Sequence, residues 1–395
     1  MTPSEKLQLL NDYGFSVSAE DLAKNAQTKV AVGMSGGVDS SVVAGLVKLL
    51  GYETIGLFMK NWEDENDQGE CPSEQDWKDA RQVADKLDIP IFSVNFAAQY
   101  KAQVFDGFLR DYAAGLTPNP DILCNREIKF TVFSDYIKLL GTDLLATGHY
   151  CQIEQTPNGP LLRKGNDPGK DQTYFLHAVK GEALKNVIFP VGHLPKPRVR
   201  ELAQKFGLIT SDKKDSTGVC FIGERDFKLF LSQYISGTQG DFVDLNGKKL
   251  GKHDGSCFYT LGQRKGLGVG GPGLPWFVAK KDTRSNQVTL VQGEDHPALF
   301  CDGLLAQEAT WIGKAPTFPQ RLTAKVRYRQ QDQPCTVTQQ GEALKVVFDE
   351  PQRSVAPGQS VVFYDGEICL GGAVITEPSP SYHELGKALP VAGIV

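Results

Sequence analysis

At 395 residues and 43.2 kDa, with 41% hydrophobic and 23% charged residues and a net charge of −5, the chain can bury a core and divide into two or three domains. No apolar run approaches the roughly 18 residues that span a bilayer. The first 28 residues set Glu5, Asp12, Glu20 and Asp21 against only Lys6 and Lys24, which suits neither a secretory signal nor an Arg-rich transit peptide, so a cytoplasmic protein is expected. The eight cysteines (Cys71, Cys124, Cys151, Cys220, Cys257, Cys301, Cys335 and Cys369) are scattered and never form C-x-x-C, which points away from a zinc site or a disulfide scaffold.

After a stretch of 28 residues, "VAVGMSGGVDSS" (Val30 to Ser41) begins as an apolar strand and turns through glycine and serine. It then becomes a helical pattern, with Val42, Val43, Leu46 and Leu49 in period and Gly51 as the stop. A helix start of this kind is an anion site, because backbone N–H groups and the positive helix end converge there. No lysine follows Gly37, so the Walker pattern is absent and the loop holds phosphates without activating a terminal one.

Further strands are expected at Thr54 to Trp62, Ile89 to Phe96 and Asp143 to Tyr150, with helices at Asp76 to Leu87 and Ala98 to Tyr112 between them. That alternation predicts a doubly wound parallel sheet over residues 29–224. From about Gly237 the chain turns to short, glycine-punctuated alternating runs, which predict two small β-rich domains at 225–295 and 296–376, followed by a loosely tied tail at 377–395. "GLGVGG" (Gly266 to Gly271) fails the dinucleotide spacing and reads as a loop.

Charge is unevenly distributed. Residues 251–330 hold eleven Lys and Arg against six Asp and Glu, a local +5 that leaves −10 for the rest of the chain. In "RLTAKVRYR" a period of two would place Arg321, Lys325, Arg327 and Arg329 on one strand face. Two readings of that face stand side by side: a track for a phosphate backbone, or a solvated outer surface.

"SGGVDSS" (Ser35 to Ser41) resembles the signature of the PP-loop ATP pyrophosphatases, which adenylate an oxygen and release pyrophosphate. Attack at the α-phosphorus explains why no Walker lysine is needed. "TPNPDILCNREIKF" (Thr117 to Phe130) and "DSTGVCFIGERDF" (Asp215 to Phe227) resemble, almost residue for residue, the two cysteine motifs of the bacterial tRNA-specific 2-thiouridylases. "GKDQTYFL", "TLGQRKGLGVGG" and "PGQSVVFYDGE" are similar to that family as well, so the likeness runs from about Lys29 to Ile375. The 28-residue extension is the departure.

The resemblance implies ATP-dependent replacement of O2 of the wobble uridine in tRNAs for Lys, Glu and Gln by sulfur. Gly33, Met34, Ser35, Gly36, Gly37, Val38, Asp39 and Ser40, with Met59 and Gly148, would contact ATP, and Asp39 would be a ligand for Mg²⁺ or else bond the loop backbone. Cys220 would receive a persulfide from a cysteine desulfurase or a relay protein, and Cys124 would attack or resolve it, so both thiols are expected to be at least partly exposed, near Lys213, Lys214, Arg126 and Lys129. Asp121 would move a proton at N3 of the uracil or cap its helix, and Asn119, Pro120 and Asp121 would meet the flipped base. Lys170, Asp171 and Gln172, then Arg327, Tyr328 and Arg329, with His149 and Gln359, would contact tRNA; for His149 a buried strand-end histidine is the other reading. The remaining six cysteines read as small buried hydrophobes. An iron–sulfur centre on Cys124, Cys220 and a third residue stays open at this level. So do two rivals: an ammonia-using PP-loop ligase, which needs neither cysteine, and a non-enzymatic RNA-binding module, which does not need the PP-loop.

Overall fold

A computed structural model describes residues 2–63, 72–215 and 226–390, which leaves Cys71 and Cys220 outside the described residues. Seven strands fall in the first half: β1 (Lys29–Met34), β2 (Glu53–Lys60), β3 (Ile91–Asn95), β4 (Leu144–Ala146), β5 (Cys151–Thr156), β6 (Gly159–Lys164) and β7 (Val187–Ile188). Five of them form a sheet in the order β3-β2-β1-β4-β7, with parallel pairing throughout. The order reverses between β1 and β4, and in such sheets ligands sit outside the carboxyl ends of the strands at that point. Val30, Val32 and Met34 pack on one face and Ala31 on the other, so β1 is buried on both sides as a central parallel strand must be.

Four helices come early in the chain: α1 (Pro3–Asp12), α2 (Ala19–Asn25), α3 (Val38–Leu49) and α4 (Pro72–Leu87). The first two form the extension. Both begin in capping boxes, from Thr2 with Glu5 and from Ser18 with Asp21, and Leu10 inserts against Leu49 and Leu50 at the far end of α3. The single helix expected over Ala98 to Tyr112 is interrupted by a wide π-turn at Lys101–Phe105, which still turns Val104 and Phe105 into the core.

The remaining strands are β8 (Gly240–Val243), β9 (Lys249–His253), β10 (Trp276–Asp282), β11 (Gln287–Gln292), β12 (Phe300–Trp311), β13 (Gln320–Lys325), β14 (Gln333–Gln340), β15 (Ala343–Arg353), β16 (Ser360–Asp365) and β17 (Ile368–Pro378). The first four make a small sheet, β10-β11-β8-β9, and Gly266 to Gly271 is a loop beside it, as read from its spacing. The last six close into a barrel, β12-β15-β14-β13-β16-β17 with β17 returning to β12. The β5-β6 hairpin leaves the parallel sheet and extends this barrel sheet, through Leu162 opposite Cys369 and Arg163 opposite Ile368 on β17. One apolar cluster therefore joins Cys124, Phe130 and Tyr174 to Val362, Tyr364 and Cys369.

The four-cation strand face does not form. β13 ends at Lys325, and a turn follows in which Gln330 Oε1 accepts from the Val326 N–H (2.9 Å). Arg321 pairs with Asp349 in a two-pronged ion pair, and Lys325 is buried against Asp171 and Asp332, so period two breaks where an inward lysine finds carboxylates. Arg327, Tyr328 and Arg329 occupy the turn.

Candidate active site at the sheet reversal

The loop after β1 is shaped by its own small residues. Gly36 adopts φ +73°, and a Cβ there would lie 2.4 Å from the Asp76 carbonyl oxygen, so only glycine fits under α4. The Ser40 hydroxyl accepts from the Ser35 N–H (3.1 Å) and donates to the Gly37 carbonyl (3.1 Å), and Ser41 donates to the same carbonyl (2.7 Å). Gly37 is the N-cap of α3 and supplies no capping side chain. Gly33 and Met34 end β1, Met59 ends β2 half-buried, and Gly148, just after β4, lies so close that a Cβ would come 3.1 Å from both Asp39 Cβ and the Ser40 nitrogen. The residues expected to contact ATP thus end or follow β1, β2 and β4, beside the reversal point.

Asp39 does not bond the loop backbone. Tyr150 donates to its Oδ1 (2.6 Å), and Lys196 Nζ lies 2.7 and 2.8 Å from its two oxygens. Both carboxylate oxygens are thereby neutralised by a lysine, and among the described residues no three His, Cys, Asp or Glu side chains gather as a metal site. The Lys196 ammonium thus occupies the two oxygens that the expected Mg²⁺ role of Asp39 would use. Burial and then the Asp39 charge push the Tyr150 hydroxyl far up, which keeps it a donor.

Asp215, the last described residue before the segment that carries Cys220, is held by Lys170 (2.7 Å), Lys196 (2.8 Å) and Arg200 (2.9 Å). Burial raises its pKa, but Lys170 and Lys196 outweigh that and hold the carboxyl at about 2. Lys213 is committed elsewhere: its ammonium donates to the Gly36 carbonyl (3.0 Å), to Asp76 (2.8 Å) and to Asp79. It therefore braces the loop after β1.

A continuous helical stretch from Pro120 to Leu139 carries the first cysteine motif. Asn119 caps it by accepting from the Asp121 N–H (3.1 Å), so the cap is Asn119 and the Asp121 side chain is left for other work. Cys124 opens the π-helical middle, Cys124–Val132, and only 1% of its surface is exposed, against the expectation of an accessible thiol. The reason is packing: Ile122, Ile128, Phe130 and Phe133 drive this face into the main core. A Cβ on Gly33 would lie 3.6 Å from the Phe133 ring, so the helical stretch that carries the cysteine rests on β1.

Burial pushes the Asp121 carboxyl up, with Lys129 pulling back. A raised native pKa means that ionisation costs the folded state more than the unfolded one, so stability is lost as pH rises through that pKa. Asp121→Asn is therefore expected to gain thermal stability over wild type at pH 8 relative to pH 5 while losing activity. Melting curves at the two pH values check this; an equal loss of stability at both would contradict it.

His149 is buried between Phe130 and Phe189, bonded through Nδ1 to the Thr147 hydroxyl (2.7 Å), and burial followed by Lys129 pushes its pKa well down, which makes it a neutral interior histidine. Asp171 is only 4% exposed and accepts from Thr173 and Gly165, so it holds the chain around β6. Gln172 Oε1 accepts from the Tyr150 N–H (2.9 Å). Gln359 donates to the Thr117 carbonyl (2.7 Å), and the Thr117 N–H returns to Pro357 (2.9 Å), which fastens the barrel to the first cysteine motif. Arg327 donates to the carbonyls of Leu261 and Ser354 (both 2.9 Å), Tyr328 lies against Phe175 (4.4 Å between rings), and Arg329 is exposed.

Three family models match this chain in order: the tRNA methyl transferase HUP domain at residues 28–224, the tRNA methyl transferase PRC-barrel domain at 228–292, and the aminomethyltransferase beta-barrel domain at 301–375. The tRNA-specific 2-thiouridylase MnmA of Protochlamydia amoebophila is 55% identical over 370 residues, which cover 93% of this chain and 98% of that one. The chain belongs to the tRNA-specific 2-thiouridylase family. The MnmA proteins of Francisella philomiragia (53% over 354 residues; 88% and 99% covered) and Stutzerimonas stutzeri (52% over 369; 92% and 98%) agree. The ammonia-ligase alternative is not favoured. Among the described residues no helix is long and apolar enough to cross a membrane.

Local sequence pattern does not single out Lys196, Tyr150 or Asp215, which the structure gathers around Asp39. Tyr150 ends the expected strand Asp143 to Tyr150 and Asp215 opens the second cysteine motif, but nothing in "HLPKPR" marks Lys196 as more than a helix start.

Proposed function

We propose that this protein replaces O2 of a tRNA uridine, the wobble base of tRNAs for Lys, Glu and Gln, with persulfide-derived sulfur, using ATP to adenylate that oxygen. The observation that carries the reading is the gathering of Gly33, Gly36, Asp39 and Gly148 at the sheet reversal, with the helical stretch that carries Asp121 and Cys124 resting on β1 through Phe133. O2 of a neutral pyrimidine leaves poorly. Attack of O2 on the α-phosphorus forms an O–P bond, breaks the bond to the bridging oxygen and expels pyrophosphate, while Asp121 takes the N3 proton. Sulfur then adds at C2, and AMP leaves with the former O2.

The sulfur arrives as a persulfide on Cys220, supplied by a cysteine desulfurase or a relay protein. Cys124 either liberates it as sulfide or resolves the adduct; in both cases the two cysteines end as a disulfide that an external thiol must reduce. Arg329 and the surrounding barrel turn meet the phosphate backbone of the tRNA, and Gln359 aligns that barrel with Asn119 to Asp121. Nucleoside mass spectrometry of tRNA incubated with enzyme, ATP and a persulfide donor tests the reading: 2-thiouridine is expected only when all components are present. Thiouridine without ATP, or ATP turnover without thiouridine, would overturn it.

A further inference from the structure

The loop that receives ATP has no lysine of its own, yet a lysine stands over it. Lys196 enters from the helix Lys196–Lys205, 157 residues beyond Asp39, and its ammonium bonds both Asp39 oxygens and Asp215 Oδ1. It is 8% exposed, and a buried ammonium is costly unless paired. Two carboxylates supply that pairing. The backbone N–H of Lys196 is bonded to Asp167 (3.0 Å), so it is the side chain that this helix offers to the loop.

The partners are arranged so that Lys196 can leave them. Asp215 keeps Lys170 and Arg200, and Asp39 keeps the Tyr150 hydroxyl, so neither carboxylate is stranded when the ammonium turns to another anion. Lys213 differs, because its departure would leave the Asp76 carboxylate without its ion pair. The α3 start, with no capping side chain at Gly37, offers backbone N–H groups in the same turn that carries Asp39.

We infer that Lys196 binds the β- and γ-phosphates of ATP and carries the charge of pyrophosphate as it leaves. This rests on the ATP-using reading above. As O2 attacks and the bond from the α-phosphorus to the bridging oxygen breaks, the electron pair goes to pyrophosphate, and the Lys196 ammonium offsets the added negative charge without giving up a proton. Asp39 and Asp215 hold the ammonium in place until ATP binds. Lys196 thus fills the part that a Walker lysine plays, from a distant helix.

Calorimetric titration of wild type, Lys196→Met and Lys196→Arg with sodium pyrophosphate, ATP and AMP separates binding from support. Lys196→Met is expected to lose at least about ten-fold in affinity for pyrophosphate and ATP while AMP stays within about two-fold, and to release pyrophosphate about 10² to 10³ times more slowly with tRNA present. Lys196→Arg is expected to recover most of the pyrophosphate affinity. Equal weakening of AMP would make Lys196 a support for the loop and overturn the inference, as would unchanged pyrophosphate binding. Should Lys196→Met fail to fold, Lys196→Gln, which keeps a donor for Asp39 but no charge, gives the same comparison. If wild type binds none of the three, it is the ATP-using reading that fails.

Discussion

Cys220→Ser is expected to accept no protein-bound sulfur and to form no thiouridine, whereas Cys124→Ser is expected to carry a persulfide at Cys220 and still deliver none. The asymmetry follows from the roles: one thiol receives sulfur and the other breaks the bond that holds it. Cys124 is buried in the main core, so its removal costs the packing of one small side chain but leaves the surface that meets a donor unchanged. In wild type, one turnover without reductant is expected to leave Cys124 joined to Cys220, which peptide mapping by mass spectrometry detects. Both losses are expected to approach completeness, since among the described residues no other cysteine lies on the helical stretch from Pro120 to Leu139 that rests on β1. Burial pushes the thiols of Cys151 and Cys369 far up and that of Cys301 to about 11, which leaves them inert at neutral pH. Normal thiouridine formation by either variant would remove the two-cysteine mechanism.

Asp39→Ala is expected to slow pyrophosphate release by about 10² to 10³ while leaving tRNA affinity within about two-fold, because it deletes the group on which both Lys196 and Tyr150 converge. Asp39→Asn separates charge from shape. Its amide oxygen can still accept from Tyr150, but it no longer offsets the ammonium of Lys196, so a comparable loss in Asn and Ala points to charge. Filter binding of labelled tRNA beside a coupled pyrophosphate assay reads both quantities. Unchanged release by Asp39→Ala would take the residue out of the mechanism.

The parallel sheet was legible because each of its segments announces itself locally. Residues 30–41 carry strand, turn and helix signals in twelve consecutive positions, and the glycines at 36 and 148 are demanded by contacts that the sequence only hints at. What local pattern cannot reveal is a partner supplied from far along the chain. The period-two reading of residues 321–329 failed because Lys325 finds Asp171, 154 positions away, and turns inward. The accessible Cys124 failed for a similar reason: Ile122, Ile128, Phe130 and Phe133 carry its face into a core that Val362 and Tyr364 of the barrel share. Lys196 was invisible because its meaning lies in Asp39 and Asp215, not in its neighbours.

The pairing of β6 with β17 also has a temporal side. Leu162 emerges from the ribosome long before Cys369, its partner across the strands. At synthesis rates of roughly 5 to 20 residues per second, the interval between them is about 10 to 40 s. During that time the parallel sheet can assemble, but the hairpin must wait with one edge of backbone N–H and carbonyl groups unpaired, a surface that nascent chains of the same kind on one message can engage. Fragments ending near residue 224 would keep that open edge permanently, so they are poor mimics of the first domain, and the last strand of the barrel is what finishes it.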